Sequence, residues 1–313
     1  MKQHKSPPNN GGLFYSSSFL QINKTASVYF LCKLLLSLSI IKLIMNKILF
    51  VLLFAAAACS VASQKTIVMQ FAQNPVVAHR GAFKKNKLPE NSIAGLKEAI
   101  RLKCTGSEFD VRMTADDSLI INHDPHFNQL EVEKSTFAQL QQFTLSNGEP
   151  LPTLQQYLEA GLQNNSTTRL VLELKPSGIS KERAKQSAEK AVQLVKRLKA
   201  EAMIVYISFD YDILLKIREM DATASLQYLE GNKSPAQLKA DKIDGADYHF
   251  TVFQKNPGWI AEAKQHDIIL NAWTVNDAAT MDWLLENGFE FITTNEPELL
   301  FERVEVLKNR KKS

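Results

Sequence analysis

Cysteine is scarce in this chain. Three occur in 313 residues: Cys32, Cys59 and Cys104. A chain trimmed after Ser63 keeps only Cys104, so no disulfide framework can hold a mature domain together. Stability must come from a core, and 45% hydrophobic residues supply one. Acid is absent from residues 1–44, which carry five lysines (Lys2, Lys5, Lys24, Lys33, Lys42). Without them the chain has 32 Lys and Arg against 33 Asp and Glu, so the net charge of +4 becomes −1. The basic balance belongs to the leader, which excludes the basic surface that nucleic-acid binding requires. A long, uncharged apolar run is missing as well. Val28 to Ile44 is short for a membrane span and is interrupted by Lys33 and Lys42.

The start of the chain has a different logic. Met45-Asn46-Lys47, the apolar run Ile48 to Ala58 and the small residues that follow have the form of a signal peptide, with Val61-Ala62-Ser63 as a cleavage site. This predicts three segments: 1–44 as an over-long gene start or extra leader, 45–63 as signal peptide, and 64–313 as the folded domain. An exported protein, periplasmic or secreted, is expected. Ala56-Ala57-Ala58-Cys59 partly resembles a lipoprotein box, which leaves open a lipid anchor at Cys59.

From Val76 onward strands and helices alternate. Strands are expected at Val76–Ala78, around Glu108–Arg112, and at Leu170–Lys175, Met203–Phe209, Thr223–Leu229, Ala246–Thr251, Ile268–Val275 and Phe289–Thr294. Helices are expected between them, among them Ser92 to Leu102 with Asn91 as its cap, and Lys181 to Ala200 with its charge run on a solvated face. Eight such units predict an α/β protein, a single-domain (β/α)8 TIM barrel with a short insertion after the second strand. His249 and His266 have no partner motif and read as structural or exposed. Cys104 reads as packing.

The candidate chemistry lies between His79 and Asp124. Along Glu108-Phe109-Asp110-Val111, alternation puts Glu108 and Asp110 on one face. Adjacent carboxylates repel unless a proton or cation joins them, and a hard divalent cation with oxygen ligands does so. On the next strand Glu173 and Lys175 face the barrel interior too; the competing reading is a buried ion pair. His79 and His123 fall at the ends of apolar runs, and a histidine titrates near neutral pH, as general acid and base work requires.

These motifs resemble the glycerophosphodiester phosphodiesterase family. The matching residues are His79-Arg80-Gly81, Pro89-Glu90-Asn91-Ser92, Glu108-x-Asp110-Val111 with Thr114, His123-Asp124, Leu172-Glu173-Leu174-Lys175, Ser208-Phe209 and Trp273-Thr274-Val275-Asn276. They occur in the family's order and cover roughly residues 75 to 305. One departure is Asp116-Asp117-Ser118, where the family often has Asp-Gly in a turn. The resemblance implies a hydrolase that cleaves glycerophosphodiesters to glycerol 3-phosphate and an alcohol. It implies His79 and His123 as acid and base, and one divalent cation, Ca2+ or Mg2+, on Glu108, Asp110 and Glu173. Arg80, Lys175, Trp273 and, in second rank, Glu90 would meet the substrate. Two alternatives stay open: a lysophospholipase D-like enzyme acting on lipids, and a non-catalytic binder of glycerophosphoryl groups. No other partner is implied.

Overall fold

A computed structural model describes residues 29–30, 33–47 and 70–310. The chain divides into two compact units, Met1–Thr66 and Ile67–Ser313. In the first, residues 33–47 are helical. Among the described residues no helix is long and apolar enough to cross a membrane. The apolar core of the expected signal peptide, the Ser63 cleavage site and Cys59 lie outside the described residues.

The second unit contains strands β1 (Val76–Ala78), β2 (Gly106–Met113), β3 (Leu119–Ile121), β4 (His126–Phe127), β5 (Leu130–Glu131), β6 (Arg169–Leu174), β7 (Ile204–Ser208), β8 (Ser225–Tyr228), β9 (Gly245–His249), β10 (Ile269–Trp273) and β11 (Phe291–Thr294). Eight of them run parallel in the order β1-β2-β6-β7-β8-β9-β10-β11. β1 also pairs with β11, Val76 opposite Ile292, and the sheet closes. The (β/α)8 barrel is therefore present as expected.

Strand alternation divides the apolar residues between two cores. Leu170, Leu172 and Leu174 of β6 join the layer between barrel and helices. Val171 points the other way, into a smaller interior cluster with Val77, Val205, Ile207 and Leu229. The helix Lys181–Arg197 shows how the outer layer is covered. It buries Ala184, Ala188, Ala191, Val192 and Val195 at helical spacing, and Ser180 caps it by accepting from the Arg183 N–H.

Two local expectations are corrected. The sixth barrel strand ends at His249 rather than Thr251, because the His249 side chain accepts from the Thr251 N–H and starts a helix at Phe250. The cap of the helix Ile93–Arg101 is Ser92, not Asn91. Asn91 sits at φ 58° and turns its side chain into the barrel.

The insertion after β2 is short. β3 folds back antiparallel on β2, with Val111 opposite Ile121. The tight hairpin of β4 and β5 follows. Ile120, Val132, Leu140 and Leu151 give this segment a small core of its own. The turn between β2 and β3 puts Asp117 at φ 62°. This is the left-handed conformation that glycine adopts most easily, and aspartate is among the few other residues that tolerate it.

Candidate active site

The site is assembled at the C-terminal ends of the barrel strands, where this fold carries its active sites. β1 ends at Ala78, and the His79 N–H extends its ladder by donating to Thr294 O at 2.9 Å. The chain then turns sharply, with Arg80 at φ 54° and Gly81 at φ 84°. A side chain at Gly81 would place its Cβ 2.7 Å from the backbone carbonyl carbon of Gly95, so only glycine fits. The turn aims the Arg80 N–H at Glu108 Oε2, 2.8 Å away. The guanidinium reaches Glu90 Oε2 at 2.6 Å and comes within 3.5 Å of Asp110 Oδ2.

Glu108 and Asp110 on β2 and Glu173 on β6 point into the barrel and are 2%, 1% and 6% exposed. Each offers an oxygen within 4.8 Å of the others. Lys175 Nζ lies 2.7 Å from Asp110 Oδ1 and 2.6 Å from Glu173 Oε1, so the buried ion pair of the competing reading is present beside the carboxylate cluster. One lysine does not match three carboxylates. Glu108 Oε1 is buried without a hydrogen-bond donor, and Asp110 Oδ1 and Glu173 Oε1 have only the Lys175 ammonium they share. Three hard, buried oxygen donors left in this state fit a divalent cation of the Ca2+ or Mg2+ type.

The electrostatics agree. Burial, together with the charges of Asp110 and Glu173, pushes the Glu108 carboxyl well above the usual range. Burial and Asp110 raise Glu173 to about 7. Burial is the largest single influence on Asp110 and opposes its ionisation too, but the Lys175 charge, hydrogen bonds from Lys175 and Asn91 and the other nearby groups together outweigh it and hold that carboxyl at about 2. Without a cation the cluster retains protons, as crowded carboxylates must.

The two histidines come from different elements. His79 Nδ1 lies 2.7 Å from Asn295 Oδ1. The amide oxygen can only accept, so Nδ1 carries the proton and Nε2 the lone pair, 3.9 Å from Glu108 Oε2. Burial and the neighbouring Arg80 charge lower His79 to about 4, so its imidazole is neutral at neutral pH. His123 follows β3. Asn122 donates to Asp110 O at 3.0 Å, and Arg112 Nε donates to His123 O at 2.8 Å, which fixes the backbone beside the carboxylates. The His123 ring meets Asp124 Oδ1 at 2.7 Å, and this bond is the leading cause that keeps the Asp124 carboxyl below its usual range.

A cavity of about 120 Å3 opens here. His79, Arg80, Glu108, His123, Glu173 and Lys175 line one side, and Phe209 and Trp273 line the other. Trp273 is held by its indole N–H, which donates to Asp247 O at 2.8 Å, and by edge-on packing against Phe209 and His249. The barrel thus brings together all the candidates except Glu90, which stays on the rim as the partner of Arg80. Ser208 is buried and donates to Leu174 O, while its neighbour Phe209 faces the cavity.

Three further residues were not legible as site residues. Asn91 donates to Asp110 Oδ2 at 2.8 Å and accepts from the Asp110 N–H at 3.1 Å. It stands in the quoted motif, but its spacing equally suits a cap. Asn295 orients His79 from the far end of the chain, and no local pattern marks it. Asp247 reads in sequence only as one polar residue in a short strand.

Fold and site together define a barrel enzyme with a buried acidic cradle, two cationic side chains and two imidazoles at one mouth. The glycerophosphoryl diester phosphodiesterase family model matches residues 79–299. A glycerophosphodiester phosphodiesterase of Caldanaerobacter subterraneus subsp. tengcongensis is 28% identical over 248 residues, spanning 73% of this chain and 97% of its own. One from Bacillus subtilis is 24% identical over 254 residues, 71% of this chain and 84% of its own. The crystal structure of a glycerophosphodiester phosphodiesterase from Parabacteroides distasonis superposes with a TM-score of 0.72 at 37% identity, covering 77% of this chain and all of the other. The chain belongs to the glycerophosphoryl diester phosphodiesterase family and is a phosphoric diester hydrolase.

Proposed function

We propose that this enzyme hydrolyses glycerophosphodiesters to glycerol 3-phosphate and a free alcohol, with a divalent cation, Ca2+ or Mg2+, held by Glu108, Asp110 and Glu173. The observation that carries this reading is the set of three buried carboxylates whose oxygens lie within 4.8 Å of one another, placed between two histidines at one barrel mouth. When bound, such a cation neutralises the anionic diester and acidifies a hydroxyl beside it.

The chain's own residues do the rest. Arg80 holds a phosphate oxygen through a directional fork, and Lys175 contributes a point charge. Trp273 and Phe209 form an apolar wall for the glycerol carbons. The neighbouring glycerol hydroxyl attacks phosphorus and gives its proton to one histidine. The other histidine protonates the departing alcohol oxygen as the P–O bond breaks. Water then opens the cyclic phosphate, and the two imidazoles exchange roles. The Asn295 and Asp124 contacts orient both rings.

The test follows glycerol 3-phosphate release from glycerophosphocholine by the purified protein, with and without a chelator. Chelator-sensitive release is expected. No release with any added divalent cation, but choline release from lysophosphatidylcholine, would favour the lipid-directed alternative, and silence on both would favour the binder. We further infer export through residues 45–63. N-terminal sequencing of the native protein tests this, and a start upstream of Met45 would overturn it.

A further inference from the structure

Across the barrel interior from the carboxylates, the wall built by β8 to β11 is polar, and Asp247 is its one buried carboxyl among the described residues. Gln227, Asp247, Asn271 and Thr293 are all 4% exposed or less. Three of them satisfy one another. Asn271 Nδ2 donates to Gln227 Oε1 at 3.3 Å, and Thr293 Oγ1 donates to Asn271 Oδ1 at 3.2 Å. Asp247 stands beside Asn271 in register yet takes no part in this chain. Its Oδ1 is buried without a hydrogen-bond partner. Asp247 also lines the cavity that holds His79, Glu108 and Lys175.

Packing does not explain a carboxyl here. Neighbouring interior positions are Leu229 and Ile207, which fill the same barrel with apolar atoms. A buried polar atom with no partner is destabilising where an aliphatic side chain would not be. Fixing Trp273 does not explain it either, because the indole bonds the Asp247 backbone carbonyl, which any residue supplies. What remains is a hydrogen-bonding group facing the cavity from the side opposite the phosphate-directed residues. Burial, and to a lesser degree the charge of Glu173, push this carboxyl well above the usual range. Burial thus favours its protonated form, which would offer one donor and one acceptor.

We propose that Asp247 hydrogen-bonds the glycerol hydroxyl that does not attack phosphorus, and so selects glycerol diesters over diesters of alcohols that lack that hydroxyl. This rests on the reaction proposed above. Cation and carboxylates engage the phosphate and the attacking hydroxyl on one wall, and Asp247 reads the remaining hydroxyl on the other. A site that buries a group to pair with a substrate hydroxyl rejects an analogue without it, because the group is then left unpaired.

The experiment measures binding, so that it stands apart from turnover. Calorimetry with Ca2+ present compares sn-glycerol 3-phosphate with propane-1,2-diol 1-phosphate, which lacks one hydroxyl. The wild-type enzyme is expected to prefer the glycerol compound by about tenfold or more, on the order set by one unpaired buried polar group. Asp247→Val, close in shape and apolar, is expected to lose that preference through weaker binding of glycerol 3-phosphate alone. Asp247→Ala is read in the same way should valine not be accommodated. Equal affinities in the wild type, or a preference undiminished in the variants, would overturn the assignment, as would no binding of either phosphate. Failure of the proposed reaction shows separately, as absence of chelator-sensitive hydrolysis by the wild-type enzyme.

Discussion

Asn91 and Asp110 hold each other twice: the Asn91 amide donates to Asp110 Oδ2 at 2.8 Å and accepts from the Asp110 backbone N–H at 3.1 Å. One carboxylate oxygen is thereby occupied, and the other faces Lys175 and the acidic cradle. Groups that orient a metal ligand from behind typically contribute about 10–100-fold to metal affinity. Asn91→Gly removes the side chain without forcing an ordinary residue into the φ of 58°. The expected result is an apparent cation affinity lower by about that factor, with activity recovered at saturating cation. A titration of cation binding reads it, and an unchanged affinity would remove Asn91 from the site.

Cation binding at the proposed site would depend on pH in a direction set by the cradle. Burial raises Glu173 to about 7, and Glu108 lies well above its ordinary value. Between the ordinary glutamate value of 4.5 and about 7, the cation-free folded protein holds protons that the unfolded chain has released. Its stability therefore falls as pH rises through that window. A cation displaces those protons, so its affinity rises with pH up to about 7 or beyond. Calorimetric titrations at pH 6 and pH 8 are expected to show tighter binding at pH 8. Equal affinity at both, with no proton release, would contradict the assigned cluster.

Replacing either histidine tests the acid and base roles. General acid–base catalysis contributes about 10²–10⁴-fold. His79→Ala and His123→Ala are each expected to lower turnover by a factor in that range, with the thermal midpoint little changed. Near-full activity in both variants would overturn the assignment. In the cation-free protein, nuclear magnetic resonance is expected to place the His79 titration at about 4. Since this value is depressed, stability falls on acidification from the unfolded value of about 6.5 towards 4, where the unfolded chain takes the proton first.

Gly81→Ala strikes the backbone rather than the chemistry. The added methyl carbon would lie 2.7 Å from the Gly95 carbonyl carbon at φ 84°, and no rotamer change relieves a clash with backbone. Strain of this kind costs about 1–3 kcal/mol. Denaturant unfolding should show that loss. Turnover should fall too, because the turn aims the Arg80 N–H at Glu108. Activity and stability like those of the wild type would show that the turn adapts.

Much of the fold was legible because a closed barrel repeats one signal. Leu170, Leu172 and Leu174 against Val171, Glu173 and Lys175 displayed both faces of β6 directly, and the structure keeps that division. The inward carboxylates could be read because charge on a buried strand has few explanations. Element ends were less clear. His249 ends its strand by capping a helix, a role that its side chain plays only once the chain has turned. Asn91 was read as a cap because it lies next to the true one, Ser92. Its partner Asp110 is 19 residues away, across a helix. Asn295 shows the limit most clearly, since 216 residues separate it from His79. Partners brought together only by barrel closure leave no local pattern to read.

His79 and His123 owe their places to different parts of the architecture. His123 rides on β3, a local return of the chain against β2. His79 has its backbone N–H on Thr294 and its ring on Asn295, and both partners belong to the last strand and the residue after it. A chain that has formed β1 to β10 but not yet docked β11 would hold the acidic cradle and His123 while His79 lacked both anchors. On the proposed mechanism, turnover would report the final seam of the barrel, and a truncation near the C-terminus would act on a histidine near the start of the domain.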